Sequence, residues 1–313
     1  MLFTLLESLP PELERALAAL RRQLAAWDQV VVAYSGGVDS ALVAALAVEA
    51  LQERALAITG VSPALAPHLR QEARAQAAWL GLRHRELATA ELDDPAYAAN
   101  PEDRCYACKR ELHRVLAPIA AAAGAAVVLD GVNRDDLGDH RPGIRAAREQ
   151  GVRSPLAELG VDKAGVRQIS RALGFPWWDK PAQPCLASRF PYGEPISAAR
   201  LVRVAAAEDW LRQRWGGALR VRSQGETARI ELPADRLAEV LQQLAGGRRR
   251  QELVAAFSGL GFVAVSLDLE GLVSGKLNRV LLEPPATQQP DPDQGAPDQL
   301  ASDQSVGFRS VSG

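Results

Sequence analysis

Three consecutive valines, a turn with two glycines and a long apolar helix follow one another between residues 30 and 52. The β-branched run VVVAY is typical of a strand that is buried on both faces. The glycines of the following SGGVDS segment allow the backbone to bend sharply, and a run rich in alanine and leucine begins directly after it. This succession predicts the first strand and helix of a parallel α/β sheet.

The residues on either side continue the same alternation of strands and helices. A helix is predicted over residues 11–27, before the first strand. Further strands are predicted at ALAITGV, near RHREL and at AVVLDGV, with helices over about 39–52, 67–80 and 105–122. The fold class is therefore α/β, a parallel sheet with helices on both faces and right-handed crossovers. Ligands of such sheets bind at the carboxyl ends of the strands.

The pattern changes between residues 180 and 197. A helix over 197–215, strands at LRVRS and ARIEL, two more helices and a last strand at FVAVSLDL predict a second, smaller α+β domain. The segment after residue 284 is rich in Pro, Gln, Asp and Ser, a composition typical of disorder. We therefore expect a nucleotide-binding domain over 1–185, a small domain over 186–283 and a disordered tail over 284–313.

Charge and composition exclude several classes of protein. The net charge is -2, and four aspartates and one arginine in the tail contribute -3, which leaves +1 for the rest. A net charge so close to zero does not predict the basic surface that binds a long nucleic acid. The amino-terminal residues lack the basic region of a signal peptide, and the longest uncharged apolar run, 117–129, is shorter than the ~18 residues of a membrane span. We expect a cytoplasmic protein.

The SGGVDS turn has the features of an anion site. Gly36 and Gly37 allow close approach of the backbone, and the helix after them directs unpaired N–H groups and its positive dipole end to the same place. The hydroxyls of Ser35 and Ser40 add donors, while Asp39 is a candidate ligand for the Mg²⁺ that accompanies a pyrophosphate. The alternative is a purely structural turn. The chain has neither a Walker A loop nor a G-x-G-x-x-G motif.

A second polar cluster, DGVNRDDLGDHRPG, follows the strand AVVLDGV and so lies at the same edge of the sheet. Its side chains suit metal binding or nucleotide positioning, although a solvated acidic turn is the alternative. The candidates are Asn133, Asp135, Asp136 and Asp139. Arginines that suit carboxylate or phosphate groups follow at Arg141, Arg145, Arg148 and Arg153.

The chain has three cysteines, an odd number that argues against a disulfide scaffold. Cys105 and Cys108 form a C-x-x-C motif, which suits a redox pair, half of a zinc site or part of an iron–sulfur site. Zinc would need Cys185 and a histidine such as His113 as further ligands. Prolines on both sides of Cys185 bar a regular helix, and nearby Arg189 favours its thiolate. These features suit a nucleophile or a metal ligand.

The SGGVDS turn resembles the PP-loop of the ATP pyrophosphatase superfamily, whose members have an adenine nucleotide alpha hydrolase-like fold and adenylylate a substrate with release of pyrophosphate. The segments VAYSGGVDSAL, NRDDLGDHRPG, VRSPLAELGVDK, WDKPAQPCLASRFPYG and DLEGLVSGKLN together resemble the LarE family over residues 12–279. This resemblance implies ATP-dependent sulfur transfer to pyridinium-3,5-biscarboxylic acid mononucleotide, a small anionic nucleotide. A carboxylate would be adenylylated, and sulfur would then replace AMP.

The resemblance also implies two routes for the sulfur. In one branch of the family the cysteine that matches Cys185 gives up its own sulfur; in another, a [4Fe–4S] cluster carries the sulfur. The presence of Cys105 and Cys108 favours the cluster branch. ATP, Mg²⁺ and a cluster are thus the expected cofactors, and the family suggests a homo-oligomer. A tRNA thiolase, an amide-forming synthetase and a non-catalytic nucleotide- or cluster-binding chaperone are the alternatives.

Overall fold

Four parallel strands form the larger sheet of this computed structural model, which describes residues 3–124, 126–138, 142–273 and 275–281. The strands are β1 Val30–Ala33, β2 Ala55–Val61, β3 His84–Ala88 and β4 Val127–Leu129. Their order is β3-β2-β1-β4, so β1 is central and Val30 pairs with residues of both neighbours. All four residues of β1 are buried, which explains why this strand is continuously apolar.

Helices cover both faces of this sheet, as predicted. The helices of this part are α1 Pro11–Ala25, α2 Val38–Leu51, α3 Pro67–Trp79, α4 Pro95–Ala98, α5 Arg104–Ala122, α6 Pro142–Glu149, α7 Pro155–Glu158 and α8 Lys163–Ala172. Val30 and Val32 share a hydrophobic cluster with Leu20 of α1, whereas Val31 shares another with Leu116 of α5. Alternate residues of one strand therefore bury against helices on opposite faces.

A second sheet has three strands in the order β5-β6-β7. The strands are β5 Arg220–Gln224, β6 Thr227–Glu231 and β7 Ala264–Leu267. β7 falls within its predicted segment, whereas β5 and β6 are each shifted by one residue from theirs. β5 and β6 pair antiparallel across a short turn, while β6 and β7 pair in parallel. The accompanying helices are α9 Ala198–Trp215, α10 Leu237–Ala245 and α11 Arg248–Gly259.

The hydrophobic cluster under the second sheet extends across the predicted boundary at residue 185. It joins Leu201 and Val221 to Leu69 of α3 and Ala107 of α5. Residues 1–273 form one compact unit, and a second unit begins at Ser274, where the structure describes a 3₁₀ helix over Lys276–Leu281. A division into two domains at residue 185 therefore stays a prediction.

Three features from the sequence lie outside the described residues: Asp139, Arg141 and the expected tail over 284–313. Among the residues that the structure does describe, no helix has the length and apolar character that crossing a membrane requires.

Candidate functional site

The SGGVDS turn connects β1 to α2 at the carboxyl edge of the parallel sheet, as predicted. Gly36 adopts φ +70°, and a Cβ atom placed there would lie 2.8 Å from Cβ and 2.9 Å from Cα of Ala73 in α3. Only glycine combines this backbone conformation with so close a neighbour. The turn is thus fixed against α3, with the first N–H groups of α2 directed towards the end of the sheet.

Two hydroxyls stabilise the inside of the turn. Ser40 Oγ accepts a hydrogen bond from the Ser35 N–H group at 3.2 Å and lies 3.1 Å from Ser35 Oγ. Ser35 Oγ in turn accepts from the Gly37 N–H group at 3.4 Å. The predicted donors therefore converge on one small region, the arrangement that an anion site requires.

Asp39, the predicted Mg²⁺ ligand, is in contact with two polar side chains. Asn133 Nδ2 donates to Asp39 Oδ1 at 3.1 Å, and Lys163 Nζ lies 2.5 Å from Asp39 Oδ2. Mg²⁺ that binds with ATP uses one or two protein carboxylates and takes its other ligands from phosphates and water. The donor set of Asp39 fits such an ion, provided that Lys163 moves from the carboxylate to a phosphate.

The second polar cluster meets the turn, as the topology predicts. A Cβ atom on Gly131 would lie 2.6 Å from the Ser40 nitrogen, so the loop after β4 packs directly on the start of α2. Asn133 Oδ1 accepts from the Asp135 N–H group at 2.9 Å, and Asp136 Oδ2 accepts from the Asn133 N–H group at 3.0 Å. Asn133 therefore faces Asp39, while Asp135 and Asp136 shape the loop that holds Asn133.

Sequence reasoning missed two lysines at this edge. Lys163 begins α8, and its backbone N–H group also bonds Asp135 Oδ2 at 3.0 Å. Lys180 Nζ donates to the Gly36 carbonyl at 3.1 Å and pairs with Glu72 at 2.7 Å. Both lysines lie in segments on which the family resemblance was based, VRSPLAELGVDK and WDKPAQPCLASRFPYG. Membership of these segments is the feature of the sequence that could have identified them as candidates.

The predicted arginines do not converge on the turn in the same way. Arg145 lies over the Tyr106 ring at 4.7 Å, and Arg148 is exposed at the end of α6. Arg153 pairs with Glu158 at 2.7 Å. Their role in substrate binding stays a prediction.

The three cysteines come from two segments that pack together. Cys105 and Cys108 lie in the first turns of α5, and Cys185 directly precedes a 3₁₀ helix over Leu186–Arg189. Cys108 packs against the hydrophobic cluster that contains Leu186. The Leu186 N–H group donates to the Ala64 carbonyl at 2.8 Å, just beyond the carboxyl end of β2. The cysteine segments therefore lie at the same edge of the sheet as the SGGVDS turn.

The thiols lie within electrostatic reach of one another. The pKa of the Cys108 thiol is raised to about 12, first by burial and then by the negative charges of Cys185 and Glu91, with a smaller effect of Cys105. Cys105 and Cys185 themselves are exposed. Within the described ranges, no three His, Cys, Asp or Glu side chains are arranged to hold a single metal ion.

Three buried polar residues lie near the cysteine segments, and sequence reasoning missed all of them. Tyr97 is 1% exposed, Glu91 3% and Arg104 6%. Burial raises the pKa of Tyr97, the charges of Cys185, Cys108 and Glu91 raise it further, and that of Arg104 opposes them. Among the described residues, the Tyr97 hydroxyl, Glu91 Oε2 and Arg104 Nε and Nη1 have no hydrogen-bond partner.

Arg189 anchors the segment that carries Cys185. Its guanidinium pairs with the fully buried Glu208 at 2.7 Å and donates to the Pro184 carbonyl at 3.1 Å. Arg212 also pairs with Glu208, at 2.6 Å. Burial alone would raise the pKa of Glu208, but the charges and hydrogen bonds of the arginines lower it. Glu208 thus balances the charge of Arg189 locally, and an effect of Arg189 on Cys185 stays a prediction.

The chain is similar to known proteins over much of its length. The family model described as NAD synthase matches residues 13–103, which include the SGGVDS turn. The uncharacterized protein slr1717 of Synechocystis sp. is 54% identical over 86% of this chain and 99% of its own length. The uncharacterized protein MJ0830 of Methanocaldococcus jannaschii is 29% identical over 77% of this chain and 90% of its own length.

A relative with a named activity extends over most of the chain. The pyridinium-3,5-bisthiocarboxylic acid mononucleotide synthase of Lactiplantibacillus plantarum is 36% identical over 81% of this chain and 90% of its own length. The family's PP-loop chemistry uses ATP with Mg²⁺. The chain therefore belongs to the LarE family, a family of ATP-dependent sulfur transferases.

Proposed function

We propose that the chain converts a carboxylate of pyridinium-3,5-biscarboxylic acid mononucleotide to a thiocarboxylate. The observation that carries the proposal is the position of two sites at one edge of the parallel sheet. The SGGVDS turn follows β1, and the segment with Cys185 is bonded to Ala64 after β2. An adenylate formed at the first site is then close to the sulfur chemistry of the second, which favours transfer over hydrolysis.

The residues of the turn bind ATP for the first half-reaction. The N–H groups at the start of α2, with Ser35, Gly36, Gly37 and Ser40, cradle the phosphates. Asp39 holds Mg²⁺ together with those phosphates, and Asn133 orients the Asp39 carboxylate. The substrate carboxylate attacks the α-phosphorus of ATP, and pyrophosphate leaves. The resulting acyl adenylate has AMP as a good leaving group.

The second half-reaction needs a source of sulfur, for which we propose a [4Fe–4S] cluster held by Cys105, Cys108 and Cys185. Three thiols from two packed segments fit the three thiolates of a cluster with one open iron. The buried donors of Tyr97 and Arg104 also fit, because cluster sulfides accept hydrogen bonds. When bound, the cluster would supply the transferable sulfur.

A sacrificial Cys185 is the competing route. In that case the Cys185 thiolate attacks the adenylate carbonyl, and AMP leaves as a thioester forms. A base then removes the Cα proton of residue 185, the Cα–Cβ double bond forms, and the Cβ–S bond breaks with its electron pair on sulfur. The thiocarboxylate leaves, and residue 185 becomes dehydroalanine. The exposure of Cys185 is compatible with both routes, and a matched pair of experiments separates them.

The first experiment tests substrate activation. Purified protein is incubated with MgATP and the dicarboxylate mononucleotide, and pyrophosphate release is measured. We expect release that depends on the mononucleotide and that falls at least 100-fold in Asp39→Asn, because Mg²⁺ loses its carboxylate. Glu149→Gln, an exposed carboxylate on α6, serves as the matched control. Release that is equal without the mononucleotide would refute the proposed substrate.

The second experiment tests the source of sulfur. The protein is purified without oxygen, reconstituted with iron and sulfide, and analysed for both elements. We expect about four irons per chain and absorption near ~400 nm in the wild type, and loss of both in Cys105→Ser. If Cys105→Ser keeps full repeated turnover, the cluster is not required. Mass spectrometry that finds dehydroalanine at position 185 after one turnover would then establish the sacrificial route.

A further inference from the structure

Asn100 forms the corner between α4 and the helix that carries Cys105 and Cys108. It is 0% exposed and adopts φ +55°, directly after α4 and its cap residue. Asparagine tolerates this left-handed conformation better than most residues, and a proline commonly follows such a corner. Pro101 occupies that place, and Cys105 lies five residues after Asn100. The corner therefore determines where the C-x-x-C motif begins.

The same residue binds the part of the chain that follows Cys185. Its side-chain Nδ2 donates to the Pro191 carbonyl at 2.6 Å, and its backbone carbonyl accepts from the Gly193 N–H group at 2.8 Å. Pro191 is six residues after Cys185, and 91 positions separate it from Asn100. Two hydrogen bonds from one buried residue thus join the C-x-x-C segment, residues 98–108, to the Cys185 segment, residues 185–196.

Two neighbouring contacts join the same segments. The Ile196 N–H group donates to the Ala98 carbonyl at 2.8 Å. Arg104, which directly precedes Cys105, lies over the Tyr192 ring at 5.2 Å. The turn that Asn100 binds is therefore part of a continuous interface between the two segments.

The Cys185 segment is also attached to the second sheet. Arg222 of β5 donates to the Ser188 carbonyl at 2.5 Å, and this bond does not involve the C-x-x-C segment. Loss of the Asn100 side chain would therefore leave the Cys185 segment bound to the second sheet. It would weaken the attachment of that segment to the other two cysteines.

Asparagine has two disadvantages at this corner that glycine would avoid. A left-handed φ is strained for a residue with a Cβ atom, and Asn100 Oδ1 is buried without a hydrogen-bond partner in the described part of the chain. Glycine, the usual residue at such a helix end, would form the same corner and keep the bond from Gly193. What the side chain adds is the bond from Nδ2 to Pro191.

We propose that Asn100 is a positioning residue for sulfur transfer, which holds the C-x-x-C segment and the Cys185 segment at the spacing that the three thiols need to act together. This inference rests on the proposed function, in which the three thiols share one cluster. After burial, the charges of Cys185 and Cys105 contribute to raising the pKa of the Cys108 thiol, so the thiols lie within electrostatic reach of one another. Adenylation takes place at the SGGVDS turn and should not depend on Asn100.

The first measurement separates the two half-reactions. Asn100→Gly keeps the left-handed corner and the bond from Gly193 but lacks the amide that bonds Pro191. In the reconstituted protein we expect the rate of thiocarboxylate formation to fall roughly 100-fold, because a small displacement of reacting groups has an effect of this size. The pyrophosphate released in the first turnover should form at the rate of the wild type.

The second measurement reports the spacing of the thiols without any turnover. Cluster-free protein is treated anaerobically with dibromobimane, which joins two nearby thiols. Tryptic peptides are then analysed by mass spectrometry for links between Cys185 and either Cys105 or Cys108. We expect links in the wild type and a rate of linking at least about tenfold lower in Asn100→Gly, because the rate depends on how close the thiols are held.

Gln52→Gly is the matched control. Gln52 also combines a side chain with a positive φ, +51°, but it follows α2 and precedes β2, at the edge of the sheet opposite to the thiols. We expect this variant to behave like the wild type in both measurements.

Three results would overturn the positioning role of Asn100. These are equal falls in pyrophosphate release and thiocarboxylate formation, links that form in Asn100→Gly as fast as in the wild type, and an absence of links in the wild type. A wild type that forms links but no thiocarboxylate would refute the proposed function. Slower linking in Asn100→Gly would still support the positioning role in that case.

Discussion

Lys163 Nζ lies 2.5 Å from Asp39 Oδ2, which joins the first residue of α8 to the first turn of α2. The two residues are 124 positions apart in the chain. The ammonium balances the charge of a carboxylate that is only 19% exposed. It also brings a cation to the place where the phosphates of ATP are expected.

Replacement of this lysine should therefore affect chemistry more than stability. We expect Lys163→Met to lower kcat for pyrophosphate release by about 100-fold, because the developing charge on the leaving pyrophosphate loses a fixed cation. The bond from the Lys163 backbone N–H group to Asp135 is kept, so the midpoint of urea unfolding should change little. An unchanged kcat would show that Lys163 only balances Asp39.

The conformation of the turn is tested by Gly36→Ala. The new Cβ atom would meet the Ala73 backbone at 2.9 Å, and alanine disfavours φ +70°. Gly160→Ala is the matched control, because Gly160 has φ +71° and nothing within 4 Å of the added atom. We expect a loss of about 1 kcal/mol in the free energy of unfolding for Gly160→Ala and of about 2–3 kcal/mol for Gly36→Ala. Equal losses of unfolding free energy in the two variants would show that α3 moves away from the added Cβ atom at no cost in stability.

The buried ion pairs behind Cys185 depend on Glu208. Glu208→Gln leaves Arg189 and Arg212 without their buried counter-charge, and we expect the free energy of unfolding to fall by about 3–5 kcal/mol. Glu252→Gln, an exposed carboxylate paired with the 90% exposed Arg248, should cost less than about 1 kcal/mol. Chemical denaturation at pH 7 checks both values. Similar small losses in the two variants would contradict a structural role for the pair.

His113 should make the stability of the protein depend on pH. Burial lowers the pKa of His113 from 6.5 to about 4, with a further contribution from the charge of Lys109. The unfolded chain therefore binds a proton that the folded chain does not bind between these pH values. We expect the wild type to lose up to about 3 kcal/mol between pH 6.5 and pH 4 relative to His113→Leu.

The measurement is a series of urea titrations of both proteins across that range of pH. Because the variant lacks the titrating group, the unfolding free energy of the wild type should fall relative to that of the variant as the pH is lowered from 6.5 to 4. A difference that does not vary with pH would show that His113 keeps its ordinary pKa in the folded state.

Much of the fold could be predicted because it depends on local patterns. The apolar run of β1 and the alternation of strands and helices up to β4 predicted the parallel sheet and its functional edge. The strands at 220–224, 227–231 and 264–267 were also predicted close to their observed bounds. The hydrophobic cluster that joins Leu69 and Ala107 to the second sheet was not predicted. Contacts between distant segments produce no periodic pattern in a single sequence.

The sequence by itself determined the SGGVDS turn and the identity of the three thiols. In a glycine-rich turn between a strand and a helix, the candidate ligand-binding residues are adjacent in the sequence. Ser35, Gly36 and Asp39 could therefore be identified from the sequence of the turn alone. Only the tertiary structure decided which side chains complete each site. Lys163 contacts Asp39, and Glu91, Tyr97 and Arg104 each keep a buried polar atom without a hydrogen-bond partner in the described structure, because burial and contact depend on how distant segments pack.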